Sequence, residues 1–170
     1  MKTLKFDVAV IGAGSAGMSA YRAVKAHGKS AVLIEGGPYG TTCARVGCMP
    51  SKLLIAAAEA AHAVAEAPGF GVHPGPLRID GKQVMQRVKS ERDRFVGFVV
   101  ESVESIDPAE RLHGYARFVS AGCLQVGDET QVMAERVVIA TGSTPQIPPP
   151  LRELGKHVIT SDDIFEFDDL

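Results

Sequence analysis

Apolar residues in this chain alternate between short β-branched blocks and long amphipathic stretches. "FDVAVIGAG", Phe6 to Gly14, is a compact apolar run closed by glycines, the pattern of a strand buried in a parallel sheet. The next stretch, "SAGMSAYRAVKAHG", places Ala16, Ala20, Ala23 and Val24 on one face of a predicted helix that Gly28 stops. "SAVLIEGG", Ser30 to Gly37, is a second buried strand, so the segment predicts a parallel βαβ unit. Then comes "SKLLIAAAEAAHAVAEAPG", an alanine-rich helix that Pro68-Gly69 ends. A second long helix is predicted from the cap Asp80 to about Glu104, with Val84, Val88, Phe95, Val99 and Val103 as its apolar stripe.

Short strands follow, over about 112–120, 123–126 and 131–133, with Gly127-Asp128 as a hairpin turn. "RVVIATG" is a further buried strand running into glycine, and the proline-rich "TPQIPPP" is an extended connector. "HVIT" is predicted as a last short strand and Ser161 as the cap of "DDIFEF".

Composition narrows the function. The 170 residues suffice for one full-sized domain with its own core. A net charge of −2 and a pI near 6.2 give no electrostatic ground for nucleic acid or an anionic membrane. Trp is absent, so stacking platforms for single strands are poorly supplied, and no apolar stretch reaches membrane-spanning length. Lys2 and Lys5 ahead of an apolar run imitate a signal peptide, but Asp7 interrupts the run, which is a first strand. Three cysteines do not make a disulfide scaffold, and a cytoplasmic location is the expectation. In a reducing compartment a close cysteine pair is more often catalytic or metal-binding than structural.

"GAGSAG" matches GxGxxG directly after a strand and at the opening of a helix. Gly12 allows the tight turn, Gly14 lets a pyrophosphate approach the backbone, and Gly17 lets the helix pack on the strand. Ser15 and Ala16 lie in the first turn, where free N–H groups receive an anion. Glu35, at the end of the second strand, is placed to accept hydrogen bonds from an adenosine ribose. The fingerprint itself does not separate NAD from FAD.

"GTTCARVGCMPSK", residues 40–52, follows the acid-bearing strand after a short glycine turn. Its cysteines would lie beside the far end of an extended dinucleotide, where an isoalloxazine, unlike a nicotinamide, exchanges two electrons with a disulfide. Cys48 opens the alanine-rich helix, where unpaired N–H groups favour a thiolate, and Lys52 adds positive charge. Cys43 is expected in the preceding loop as the more accessible thiol. Zinc needs further ligands; CxxxxC is a poor spacing, and His62 and His73 stand in no companion motif, so no metal is expected. Cys123, in a strand, is read as a small buried hydrophobe.

Taken together, "GAGSAG" with Glu35, "GTTCARVGCMPSK" and the strand ending "ATG" resemble the flavin-dependent pyridine nucleotide–disulfide oxidoreductases. "GPYGTTCARVGCMPSK" looks most like dihydrolipoamide dehydrogenase. The resemblance implies an α/β fold, a Rossmann-like FAD-binding domain with a parallel sheet plus a small antiparallel β-meander. It implies a redox-active Cys43–Cys48 disulfide, with Cys43 as the interchange thiol and Cys48 as the flavin-proximal one. It further places Glu35 and Gly36, Thr41, Thr42, Lys52, Ala116, Ala140, Thr141 and Gly142 around the cofactor, with Gly12, Gly14, Ser15, Ala16 and Gly17 at the pyrophosphate.

The activity so implied passes electrons between a small-molecule or lipoyl-type dithiol, the disulfide, FAD and NAD, in a homodimer. The alternatives are a mercuric or glutathione-type reductase of the same family, or a non-catalytic nucleotide-binding redox switch. Residues 1–170 are expected to be the FAD-binding domain, an N-terminal fragment without the family's NAD-binding and dimerisation domains. The chain departs from the family pattern at Tyr21, where the helix usually carries a small residue, and at Thr41, where glycine is common. It also has Ala44-Arg45 for an apolar–Asn pair.

Overall fold

A computed structural model describes residues 2–170. These form two compact units, residues 2–42 with Gly97–Ser143, and Cys43–Val96 with Thr144–Leu170.

The first unit is built on one six-stranded sheet. β1 (Lys2–Ile11), α1 (Ser15–Ala26) and β2 (Ala31–Glu35) make the expected βαβ unit. β3 (Arg111–His113), β4 (Ala116–Ser120), β5 (Cys123–Val126) and β6 (Thr130–Ile139) complete an order of β3-β2-β1-β6-β5-β4. β3, β2, β1 and β6 are mutually parallel, and β5 and β4 extend the sheet antiparallel. The antiparallel strands are thus part of the main sheet.

Alternation along the strands sorts the core into two faces, as a period of two requires. Val10, Ala31 and Leu33 pack with Met18 and Tyr21 of α1 and with Val103 and Ile106 on one face. Ala9, Val32 and Ile34 pack with Leu124, Val126 and Val132 on the other, so the β5–β6 hairpin extends the second apolar cluster. Leu33, Ile34 and Leu124 are fully buried, and each such side chain contributes about 1.5–3 kcal/mol.

The departures from expectation have local causes. The strand anticipated over 112–120 breaks at Gly114, whose φ is +154°, into β3 and β4. The two strands anticipated around 131–139 are one, because β6 pairs with β5 at one end while it runs alongside β1 from Lys2↔Thr130 to Ile11↔Ile139. In α1 the buried residues are Gly17, Met18 and Tyr21, while Ala16 and Ala23 are exposed. The helix is drawn onto the sheet where it has no side chain, at Gly17, and the buried face follows one turn later at Tyr21. Tyr21 Oη donates to Glu110 Oε2 at 2.5 Å, and Lys25 Nζ pairs with Glu110 Oε1. Burial and then the Glu110 carboxylate push the Tyr21 phenol up, and the hydrogen bonds from Lys25 and Tyr21 hold Glu110 down.

The turn into β2 carries a small polar lock. Asp7 Oδ2 accepts from the Ser30 N–H at 2.7 Å and from its hydroxyl at 2.6 Å, while Ser30 Oγ accepts from the Asp7 N–H at 2.9 Å. With Lys29 Nζ also at 3.1 Å, these bonds hold the Asp7 carboxyl down at about 2, below its ordinary 3.8. A depressed folded-state value stabilises above the unfolded value and is lost as pH falls through the folded one. In Asp7→Asn the deficit in denaturation midpoint is therefore expected near neutrality, shrinking as pH falls from 3.8 toward about 2 and gone below that. A deficit independent of pH contradicts this assignment.

The second unit is helical. α2 spans Thr42–Val46, α3 spans Cys48–Glu66, and a 3-10 turn over Ala67–Phe70 ends at Gly71 in the left-handed region. α4 spans Gly81–Glu104, residues 81–96 in this unit and the rest in the first. Asp80 caps it as expected, Oδ1 accepting from the Gln83 N–H at 3.1 Å, an interaction that typically contributes about 1 kcal/mol. Met85, Val88 and Val103 are its fully buried residues, while Val84, Phe95 and Val99 are half-buried. α5 (Pro149–Arg152) begins inside the proline-rich connector, whose last two prolines are helical and not extended, since proline's fixed φ suits the first turn of a helix. "HVIT" is not a strand, since its extended residues find no neighbour to pair with, and Thr160 rather than Ser161 makes the terminal turn. The Thr160 N–H and hydroxyl both donate to Asp163 Oδ2, at 2.7 and 2.8 Å.

Candidate functional site

The candidate nucleotide cradle lies at the carboxyl ends of β1, β2 and β6. The chain goes from β1 outward to β2 and β3 on one side and returns as β6 on the other. That reversal is the switch point at which open α/β sheets receive ligands. Gly12 sits in the crevice with φ +106°, and a Cβ there would meet Ala140 O at 2.2 Å. Its N–H donates to Ile34 O at 2.7 Å, and the Ala140 N–H donates to Ile11 O at 2.8 Å. A Cβ at Gly17 would lie 1.8 Å from Gly12 O, so α1 rests directly on the turn. A Cβ at Gly14 would meet nothing within 4 Å. Gly14 is the helix N-cap, no side chain caps it, and Ser15 and Ala16 are exposed in the first turn. The space in front of these N–H groups is open, as a pyrophosphate requires.

Glu35 closes the cradle. Its Oε2 accepts from the Ala13 N–H and its Oε1 from the Gly37 N–H, both at 2.8 Å. These bonds leave each oxygen a further lone pair, on which ribose hydroxyls can donate. Sequence reasoning missed Tyr115. A Cβ at Gly36 would meet the Tyr115 ring at 2.4 Å, so the ring lies over the Glu35–Gly36 backbone, and it is 80% exposed. Tyr39 and His113 add an edge-on ring pair at 5.8 Å. The signal was the glycine beside Glu35 together with "GYA" in the link between β3 and β4. Ala116 begins β4 next to Tyr115, and Thr141 and Gly142 are exposed beyond the end of β6.

The thiols belong to the second unit. Cys43 is in α2, not in a loop, and it is half-buried, whereas Cys48 at the start of α3 is exposed. The expected order of accessibility is thus reversed: the short helix tucks Cys43 inward, and nothing overlies the first residue of α3. Both cysteines are free thiols, and Cys43 hydrogen-bonds to Cys48. That hydrogen bond, then burial, push the Cys43 thiol up, while the Cys48 N–H and Lys52 act in the opposite direction. Thr41, which departs from the glycine common at this place in the family pattern, has φ +47°, the left-handed conformation that glycine adopts without strain. Cys123 is buried in β5 as expected. Among the described residues no group of His, Cys, Asp and Glu is arranged to hold a metal, and no helix is long and apolar enough to cross a membrane.

The family model described as "Pyridine nucleotide-disulphide oxidoreductase" matches residues 6–169. The chain belongs to that family. It is 36% identical to a mercuric reductase of Serratia marcescens, over 84% of this chain and 32% of the relative. It is 32% identical to a glutathione reductase of Burkholderia cepacia, over 98% and 36%. It is 31% identical to a dihydrolipoyl dehydrogenase of Bacillus subtilis, over 98% and 37%. The chain thus spans about a third of the length of these curated relatives. Among solved structures, the fold matches the flavoprotein disulfide reductase RclA of Escherichia coli, determined as a Cu(II) complex. The TM-score is 0.67 at 23% identity, over 86% of this chain and 30% of that one.

Enzymes of the pyridine nucleotide–disulphide oxidoreductase family use FAD and NAD(P)H. The cradle fits such a dinucleotide: Gly14 leaves the approach clear, Glu35 has lone pairs for a ribose, and Tyr115 offers a flat exposed face beside it. Three differently named activities lie between 31% and 36% identity, so likeness by itself does not select a substrate.

Proposed function

We propose that this chain is the FAD-binding, dithiol–disulfide part of an oxidoreductase like dihydrolipoyl dehydrogenase, working as a cytoplasmic homodimer with NAD as final acceptor. The observation that carries the reading is the contact between the Cys43 and Cys48 thiols at the opening of α3. A pair in hydrogen-bond contact can close to a disulfide and reopen by exchange with a substrate dithiol. In that exchange the substrate loses two electrons and two protons, and the pair gains them. Lys52 and the N-terminal N–H groups of α3 stabilise the thiolate that this requires. Gly12, Gly14, Ser15, Ala16 and Gly17 would hold the pyrophosphate of FAD, Glu35 its ribose, and Tyr115 with Ala116 its adenine side. Bound FAD supplies the two-electron acceptor that links a dithiol to a nicotinamide. The dihydrolipoyl reading is supported by the sequence "GPYGTTCARVGCMPSK" and by the 98% coverage against the Bacillus subtilis enzyme.

The test begins with FAD titrated into the chain and into Glu35→Gln, followed by flavin fluorescence. Glutamine cannot accept from both the Ala13 and Gly37 N–H groups and also receive ribose hydroxyls. Affinity is expected to fall roughly 10- to 100-fold while the far-ultraviolet dichroism stays unchanged. Equal affinity in the two proteins, or none in either, overturns the cradle assignment.

A further inference from the structure

An apolar groove in the second unit is lined by neither cysteine. It lies between α3, the residues 77–79 and the first two turns of α4, and its volume is about 570 Å³. That falls within the roughly 300–1,000 Å³ of small-molecule sites. Ala57, Ala60, Ala61 and Val64 recur at three- and four-residue intervals, so one face of α3 makes the floor. Glu59, His62 and Glu66 fall on the far face of the helix, and the floor carries no charge. Leu77 and Ile79, both exposed, add apolar surface at the edge.

The two ends of the groove differ in charge. Arg87 Nη1 donates to Leu53 O at 3.4 Å, so its side chain reaches from α4 to α3 one turn before Ala57. Arg87 has no ion pair among the described residues, and Glu91, one turn further along α4, is engaged by Arg94 at 2.7 Å. At the other end Arg78 and Asp80 carry opposite charges, and the Asp80 carboxylate already caps α4. Two turns of α4, roughly 10 Å, separate Asp80 from Arg87, which is about a Debye length. One end is therefore positive and the other balanced, with apolar surface between them. A molecule with an anionic head and an apolar tail of similar length is complementary to all three parts.

We propose that this groove binds a single-chain amphiphilic carboxylate of the fatty-acid type, its head on Arg87 and its chain along Ala57, Ala61 and Val64 toward Ile79. None of the lining residues belongs to the cradle or to the thiol pair, so the site stands independently of the thiol–disulfide reading. An exposed arginine gains modestly from a carboxylate, whereas apolar surface removed from water gains with every methylene. The chain thus supplies most of the affinity and Arg87 the preference for an acid.

Octanoate, decanoate and decanol are the probes, measured on the full chain by equilibrium dialysis below micelle formation. Affinity is expected to rise roughly two- to fourfold with each added methylene, and to be roughly fivefold lower for decanol than for decanoate. Arg87→Gln is expected to bring decanoate down to the level of decanol and leave decanol unmoved, and Arg87→Lys to keep most of the preference. Arg78→Gln is expected to change it less than Arg87→Gln does. Ala60→Leu, which fills the floor from an exposed helical position, is expected to weaken both probes, with urea midpoints confirming that each variant folds. No binding of decanoate to the parent chain, equal affinity for decanoate and decanol, or undiminished decanoate binding in Arg87→Gln overturns the proposal. A dimer in sedimentation that Ile79→Ser dissociates gives the groove to a second copy of the chain and overturns it as well.

Discussion

Replacing Gly17 by alanine is expected to destabilise the first unit by about 3 kcal/mol and to abolish dinucleotide binding. The added Cβ would lie 1.8 Å from Gly12 O and 2.9 Å from Gly12 C, both backbone atoms of a turn that is itself wedged against Ala140. No rotamer change relieves such an overlap, so α1 must lift from the end of β1, and the first-turn N–H groups lift with it. Gly14→Ala is the matched control. Its Cβ meets nothing within 4 Å, so stability is expected to change by less than about 1 kcal/mol. Its methyl group nevertheless stands in the open approach to the α1 N-terminus, and FAD affinity is expected to fall. Urea denaturation and FAD titration of both variants separate the two roles. A Gly17→Ala chain as stable as the parent, or a Gly14→Ala chain that binds FAD undiminished, contradicts the geometry proposed for the cradle.

The second large effect concerns the thiols. Either serine substitution, Cys43→Ser or Cys48→Ser, removes the intramolecular disulfide, and two-electron turnover in the assembled enzyme is expected to fall at least a thousandfold, on the order of the loss of a covalent catalyst. The two variants are not equivalent. If Cys43 is the interchange thiol, Cys48→Ser is expected to trap a substrate disulfide as a stable mixed disulfide on Cys43, visible as a mass adduct. Cys43→Ser is then expected to accumulate little. The greater exposure of Cys48 favours the opposite assignment, so the experiment decides between family role and local accessibility. Faster adduct formation in Cys43→Ser would reverse the roles given to the pair.

Much of the architecture was legible where a single physical signal dominated. Buried parallel strands announce themselves as unbroken β-branched runs, and β1 and β2 were found that way. The Asp80 cap and the stripe of α4 were equally plain. The failures come from features that leave no hydrophobic signal. The buried face of α1 is centred on a residue with no side chain, Gly17, so a count of apolar positions selected Ala16 and Ala23, which are exposed. β6 was divided because Ala134 and Glu135 interrupt its apolar run, although its register with β1 continues on either side.

At the candidate site, the glycines and Glu35 stand where their spacing put them, because the contacts there run between backbone groups and one carboxylate. The surroundings of the cysteines were not legible: whether a thiol is covered depends on how a five-residue helix packs, and composition does not record that. Tyr115 escaped notice for a related reason, since its place over Gly36 arises from the pairing of β2 with β3.

The course of β6 has a consequence for how the chain is made. β1 leaves the ribosome well before β6, yet along the edge facing β6 Lys2 pairs with Thr130 and Ile11 with Ile139. Until those residues emerge, the nascent βαβ unit presents one unpaired edge of its longest strand. Closing that edge requires a long-range pairing of the kind that slows folding and invites association between growing chains. The β5–β6 hairpin is local and can form as soon as it is synthesised, so β6 arrives already half-templated.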